Sequence, residues 1–119
     1  MKVISNMKKM IFFLLIQCMA LSVWAQETVI KEAEAAYTKE DYGKAIELYE
    51  GLLNSYGESA EIYYNLGNAY YKVNKIAPAI LNYERALLLE PGDGDVRFNL
   101  QLAQQKALEE HFGLDVVGI

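Results

Sequence analysis

The residues able to do covalent or acid–base chemistry in this 119-residue chain are few and badly spaced for it. His111 is the only histidine and Cys18 the only cysteine, so neither has a second imidazole or thiolate with which to share a metal ion. Asp93-Gly94-Asp95 faintly resembles the start of a calcium loop, but Arg97 stands at the next ligand position and the glycine is misplaced. Capping of the helix that follows explains both aspartates better. Glu109 and Glu110 are adjacent on an expected helix, where neighbouring side chains diverge and cannot flank one substrate. Thr38, Ser55 and Ser59 have no histidine nearby in sequence to activate them, and no glycine-rich phosphate loop is present. The expectation is a protein that is not an enzyme and carries no metal or cofactor. Tyrosine is the abundant functional residue instead: all nine lie between Tyr37 and Tyr83. Tyrosine supplies large, rigid contact area with one polar handle, which suits recognition.

The elements that must position these tyrosines recur along the chain at one fixed offset. Ala35 recurs as Ala69 and Ala103, Tyr37 as Tyr71, and Ala45-Ile46 as Ala79-Ile80. Tyr49-Glu50 returns as Tyr83-Glu84, Leu53 as Leu87, and Asn65, Leu66 and Lys72 as Asn99, Leu100 and Lys106. A 34-residue period of this kind means stacked helical hairpins, each burying its apolar face only against its neighbours. The pattern predicts helices over Glu27–Glu40, Tyr42–Tyr56, Ser59–Val73, Ala77–Leu89 and Gly94–Phe112, joined by short connections and without strands. Ala33, Gly67, Ala45, Ala79 and Ala86 are small enough for close backbone approach, and Tyr49, Tyr70 and Tyr83 fill the gaps that remain. A mid-helix glycine costs roughly 1 kcal/mol relative to alanine, so Gly67 makes sense only at a close contact. Pro78 falls in a first helical turn, where a missing N–H is harmless, and Pro91-Gly92 ends the same helix.

The unit Ala60–Asp93 resembles a tetratricopeptide repeat along its whole length. Tyr63, Leu66, Gly67 and Tyr70 on its first helix, Ala79, Tyr83 and Ala86 on its second, and Pro91 after them carry the likeness. The upstream unit, about Gln26–Ser59, fits at Ala33, Ala36, Ala45 and Tyr49 but departs at Glu32, where an apolar residue is usual, and at Gly57, which replaces the proline. The resemblance implies an all-α helix-turn-helix solenoid: two repeats plus a capping helix over Gly94–Phe112, together forming a domain over 26–112. It also implies that the first helix of each unit lines a concave groove. Ile30, Glu34 and Tyr37 would face it from the first repeat; Tyr64, Asn65, Asn68, Tyr71 and Lys72 from the second; Phe98 and Leu102 from the cap. Tyr64, Asn68 and Tyr71 share one face by their three- and four-residue steps. Two readings of the tyrosines stay open: a surface for a protein or peptide partner, or cover for the seams between helices. Chaperone-binding members of the family hold a terminal carboxylate with cations and asparagines. The corresponding positions here read Ile30, Glu34, Asn65, Asp95 and Asn99, a set that would repel that group.

The leader, Met1–Ala25, is of another kind. Lys2, Lys8 and Lys9 precede an apolar run, Met10–Ile16, which continues past Gln17 to Val23, and Val23-Trp24-Ala25 places small residues one and three positions before a cut after Ala25. This is the layout of a secretory signal peptide over 1–25; at about 15 residues the run is shorter than the ~20 that span a bilayer. A retained anchor is the alternative. Cleavage removes Cys18 and three lysines, leaving eight basic residues against sixteen acidic ones, a net charge of −8. That balance disfavours nucleic acid and direct binding to anionic lipid headgroups. The run Ser59–Ala103 and the leader ending Trp24-Ala25-Gln26 also resemble the aerotolerance-operon (Bat) proteins of Bacteroides-type bacteria, which implies an exported, periplasmic scaffold among envelope-complex subunits. The apolar tail over 113–119, with Leu114, Val116, Val117 and Ile119, has no obvious place in the stack: either it folds back onto the cap helix or, the favoured expectation, it leads into a continuation of the chain. Two functions follow as expectations: a partner-binding module using the groove, or a self-association element stacking through the cap and tail.

Overall fold

No glycine or proline interrupts the chain before Gly43, so the leader carries nothing that would break a helix ahead of the first repeat. The structure, a computed structural model, describes residues 1–113, and the first element accordingly runs much further than the repeat pattern predicts. Helix α1 spans Lys2–Thr38, followed by α2 (Tyr42–Tyr56), α3 (Ala60–Lys72), α4 (Ile76–Leu89) and α5 (Gly94–Phe112). The expected start of the first helix at Glu27 is therefore corrected: leader and first repeat helix are one continuous rod of 37 residues, about 55 Å long at 1.5 Å per residue. It accounts for most of the 83 Å long dimension of the molecule. Every residue from Met1 to Ala25 is exposed, and burial begins at Gln26. By length and composition this helix is apolar enough to cross a membrane, a test that signal sequences also pass. The α4 start is corrected too, by one position: Ile76, expected in a connection, is buried and opens the helix. Apart from Gly113, the predicted tail lies outside the described residues.

From α1 to α5 each helix packs on the next in sequence, and α3 also touches α5, giving an all-α helical-repeat solenoid with no strand among the described residues. Two cores follow from that order. The first gathers Ala33 and Ala36 of α1 with Ala45, Tyr49 and Leu52 of α2, and is closed by Ile62 and Leu66 of α3. The second gathers Tyr63 of α3 with Ile76, Ala79, Tyr83 and Ala86 of α4, and is closed by Val96 and Ala103 of α5. Each hairpin is thus sealed by the first helix of the following unit, and α5 does for the second repeat what α3 does for the first. Gly67 sits where the seal is tightest. A Cβ built on it would lie 2.7 Å from two ring carbons of Tyr83, which is closer than carbon atoms approach.

Local signals fix the ends. The Asp41 and Ser59 side chains accept from the backbone N–H groups of Lys44 and Ile62, each at 3.3 Å, and so cap α2 and α3. Asp93 accepts from both Asp95 N–H and Val96 N–H at 3.0 and 3.2 Å, the capping role expected of it. The turns within the two repeats are copies of one another. Glu40 and Asn74, one repeat apart, both take left-handed backbone, with φ of 62° and 61°. Asp41 N–H donates to Ala36 C=O at 2.8 Å as Lys75 N–H does to Tyr70 C=O at 2.9 Å.

Candidate functional site

On the inner face, the first helices α1, α3 and α5 enclose two adjoining hollows that share Tyr37 and Asn68 as a partition. The first, about 280 Å³, lies between α1 and α3; Glu34, Tyr37 and Thr38 meet Glu61, Asn65 and Asn68 across it, with Tyr49 of α2 beneath. The second, about 230 Å³, lies between α3 and α5; Asn68, Tyr71 and Lys72 meet Asn99 and Leu102, with Tyr83 of α4 beneath. Tyr49 and Tyr83 are each 2% exposed, so little of either side chain reaches the groove.

A hydrogen-bond network holds the floor of the second hollow. The Tyr83 hydroxyl donates to Asn68 Oδ1 at 2.5 Å. The Asn99 amide donates to the same oxygen and to the Tyr64 hydroxyl, both at 3.0 Å, tying α5 to α3. The Tyr64 ring lies 6.1 Å from that of Tyr83, tilted by 46°. Burial, followed by the neighbouring tyrosines, pushes the Tyr83 phenol well above its ordinary value. In the first hollow burial again leads, and the Glu34 and Glu61 carboxylates add to it, so that Tyr49 is pushed up to about 12 against an opposing hydrogen bond from Asn65. Two carboxylates therefore act on one buried phenol from α1 and α3. The charge at the other end is opposite: Lys72 lines the second hollow, and the Lys106 ammonium sits 5.3 Å over the Tyr71 ring.

Of the ten residues assigned to the groove from sequence, seven line these hollows: Glu34 and Tyr37 from α1, Asn65, Asn68, Tyr71 and Lys72 from α3, and Leu102 from α5. The other three, Ile30, Tyr64 and Phe98, occupy one repeat position and do not. Ile30 packs against the first core, Tyr64 is tied into the network, and Phe98 is 60% exposed on α5. For Tyr64 the seam-covering role is the one its contacts support. Sequence reasoning missed Thr38, Tyr49, Glu61, Tyr83 and Asn99 as groove residues. The repeat offset would have found two of them, since Thr38 is one repeat before Lys72 and Asn99 one repeat after Asn65. Tyr49 and Tyr83 are each other's equivalents, so finding either would have given both. Among the described residues no three His, Cys, Asp or Glu side chains gather to hold a metal ion.

An all-helical stack of hairpins with a lined inner groove defines a repeat scaffold of the kind that presents a surface to other molecules. Residues 60–93 match the family model of the tetratricopeptide repeat, the same span as the second unit of the sequence period. Repeats of this family commonly bind protein or peptide partners and typically carry no enzymatic activity. A search of curated proteins returned no match to the chain.

Proposed function

We propose that this chain is a non-enzymatic scaffold of the bacterial cell envelope that grips a segment of a partner protein in the groove between α1, α3 and α5. The observation that carries this reading is the double hollow: three first helices converge on it, and a network within the fold fixes Tyr83, Asn68 and Asn99 in its second half. Preorganised aromatics and amides lower the ordering cost of binding a flexible segment. Tyr71 is the best probe, because its ring lines the hollow and, among the described residues, no hydrogen bond ties its hydroxyl to another helix as one does Tyr64. A photoreactive amino acid placed at Tyr71 in producing cells should crosslink a discrete partner, whereas the same group at exposed Leu81 on α4 should not. Equal capture from both positions, or capture from Leu81 alone, overturns the groove.

Export with cleavage between Ala25 and Gln26 belongs to the same proposal. It is supported by the basic leader, by the small residues before the cut and by the onset of burial at Gln26. Mass spectrometry should find a chain beginning at Gln26; an intact leader in the membrane fraction would make the protein an anchored one. The resemblance of Ser59–Ala103 to the aerotolerance-operon proteins points to an envelope complex concerned with oxygen tolerance. A second reading, self-association, draws on α5, where Leu108 and Phe112 are 56% and 62% exposed beyond the second core. Sedimentation at rising concentration separates the two, since a groove binder stays monomeric.

A further inference from the structure

The two hollows are one pocket built twice. Advance the first by one repeat, and Tyr37 becomes Tyr71, Tyr49 becomes Tyr83, and Asn65 becomes Asn99, so the aromatic wall, buried floor and amide are kept. The remaining positions change character. Glu34 becomes Asn68, Thr38 becomes Lys72, and Asn68 becomes Leu102. Glu61 adds a second carboxylate to the first pocket, while its equivalent Asp95 does not line the second. What is shared supplies shape and what differs supplies sign.

Resting on the groove reading above, we propose that the inner face recognises one extended segment of bipolar charge, with a lysine or arginine side chain in the Glu34–Glu61 pocket and an aspartate or glutamate beside Lys72 and Lys106. In the first pocket a cation meets two carboxylates from opposite walls and the Tyr37 ring, which combines ion pairing with attraction to an aromatic face. In the second, a carboxylate meets the Lys72 ammonium, with Lys106 close by over Tyr71, while Leu102 takes the aliphatic stem. Reversing the segment would set like charges against each other at both ends, and like-charge juxtaposition is heavily penalised at interfaces. The two pockets thus fix the direction of the bound chain as well as its composition.

The probe is a bead-displayed random nonapeptide library screened with the labelled full chain in mild detergent. Enriched peptides should carry a basic and an acidic residue in fixed order and spacing, and their binding should weaken as salt rises. The pair Glu34→Lys and Glu61→Lys should cut binding of those peptides by at least about ten-fold and select acidic residues where basic ones stood. Because both glutamates are exposed, Glu34→Gln with Glu61→Gln gives a milder version that preserves the fold and should lose only the basic preference. Enriched peptides without charge order, whose binding is still lost in Tyr71→Ala, would overturn the bipolar assignment and leave the groove standing. Peptides that bind equally well to Tyr71→Ala and to every charge variant would remove the groove itself. A library from which nothing is enriched would overturn both.

Discussion

Glu32 and Leu66 occupy the same position one repeat apart, yet Glu32 is exposed and Leu66 is 2% exposed in the first core. Ala35 and Ala69 show the same contrast beside them, the first exposed and the second fully buried. The helices are alike; what differs is the neighbour. Helix α3 lies between α2 and α4 and seals the preceding hairpin with the face that bears Leu66 and Ala69. Helix α1 packs chiefly on α2, and its equivalent face borders a hollow lined by Glu32, Ala35, Lys39 and Asp41 with no further helix over it. A departure from the repeat pattern at Glu32 therefore reads as the mark of an uncovered end rather than as a weak repeat. Stacked repeats need a polar outer face at the end of an array, and the glutamate provides it.

Breaking the contrast directly gives the largest expected effect. Leu66→Ala should destabilise the domain by roughly 2–5 kcal/mol, since the cavity it leaves opens between two repeats that cannot collapse together. Glu32→Ala should change stability by no more than about 0.5 kcal/mol. Urea denaturation followed by circular dichroism measures both. Comparable losses at the two positions would mean that the outer face of α1 is covered in solution.

The contrast sharpens at the next position along each helix. Gly67 and Ala33 are equivalents, but only Gly67 faces a ring so close that a Cβ would sit 2.7 Å away. Tyr83 cannot swing aside freely, because it is buried and its hydroxyl is bound to Asn68. Gly67→Ala should therefore destabilise by roughly 1–3 kcal/mol, although alanine is the better helix former. Ala33→Gly should destabilise by about 1 kcal/mol through propensity and a small void. A stabilised Gly67→Ala protein would show that the second repeat is packed no more tightly than the first.

Much of this arrangement was legible in the sequence, because a fixed repeat period leaves little freedom: the small residues, the Asp93 cap, both ends of α2 and α5 and the C-terminal end of α4 match the expectation. The start of α1 was not legible. A leader made of helix-forming apolar residues continues without a break into the first repeat, and no glycine, proline or cap divides Trp24 from Glu27. In the groove, the resemblance to the repeat family pointed to seven of the residues that line the hollows. It did not show that Asn99 of a separate helix would reach the Tyr64 hydroxyl, which is a matter of tertiary packing rather than of pattern. Tyr49 and Tyr83 escaped for a related reason. Their positions mark them as core, and only the structure shows that the same rings also form the floor of a surface pocket.

The smallest difference between the repeats lies in their turns. Glu40 and Asn74 both hold left-handed backbone, with the same pattern of hydrogen bonds around them. A residue with a Cβ is penalised there by roughly 1–2 kcal/mol, while asparagine escapes part of the penalty through local hydrogen bonding of its short side chain. The second turn thus carries a suitable residue and the first does not. Glu40→Gly should stabilise the domain by about 0.5–1 kcal/mol, the relief of strain being partly offset by the greater freedom of glycine in the unfolded chain. For a domain of this size that is a rise of roughly 2–8 °C in Tm. Asn74→Gly should gain no more than about a few tenths of a kcal/mol. Equal gains would show that asparagine is no better suited to this backbone than glutamate. A loss at Glu40→Gly would show that the exposed glutamate contributes through its charge, and the turn of the first repeat would then be held by electrostatics where the second is held by conformational preference.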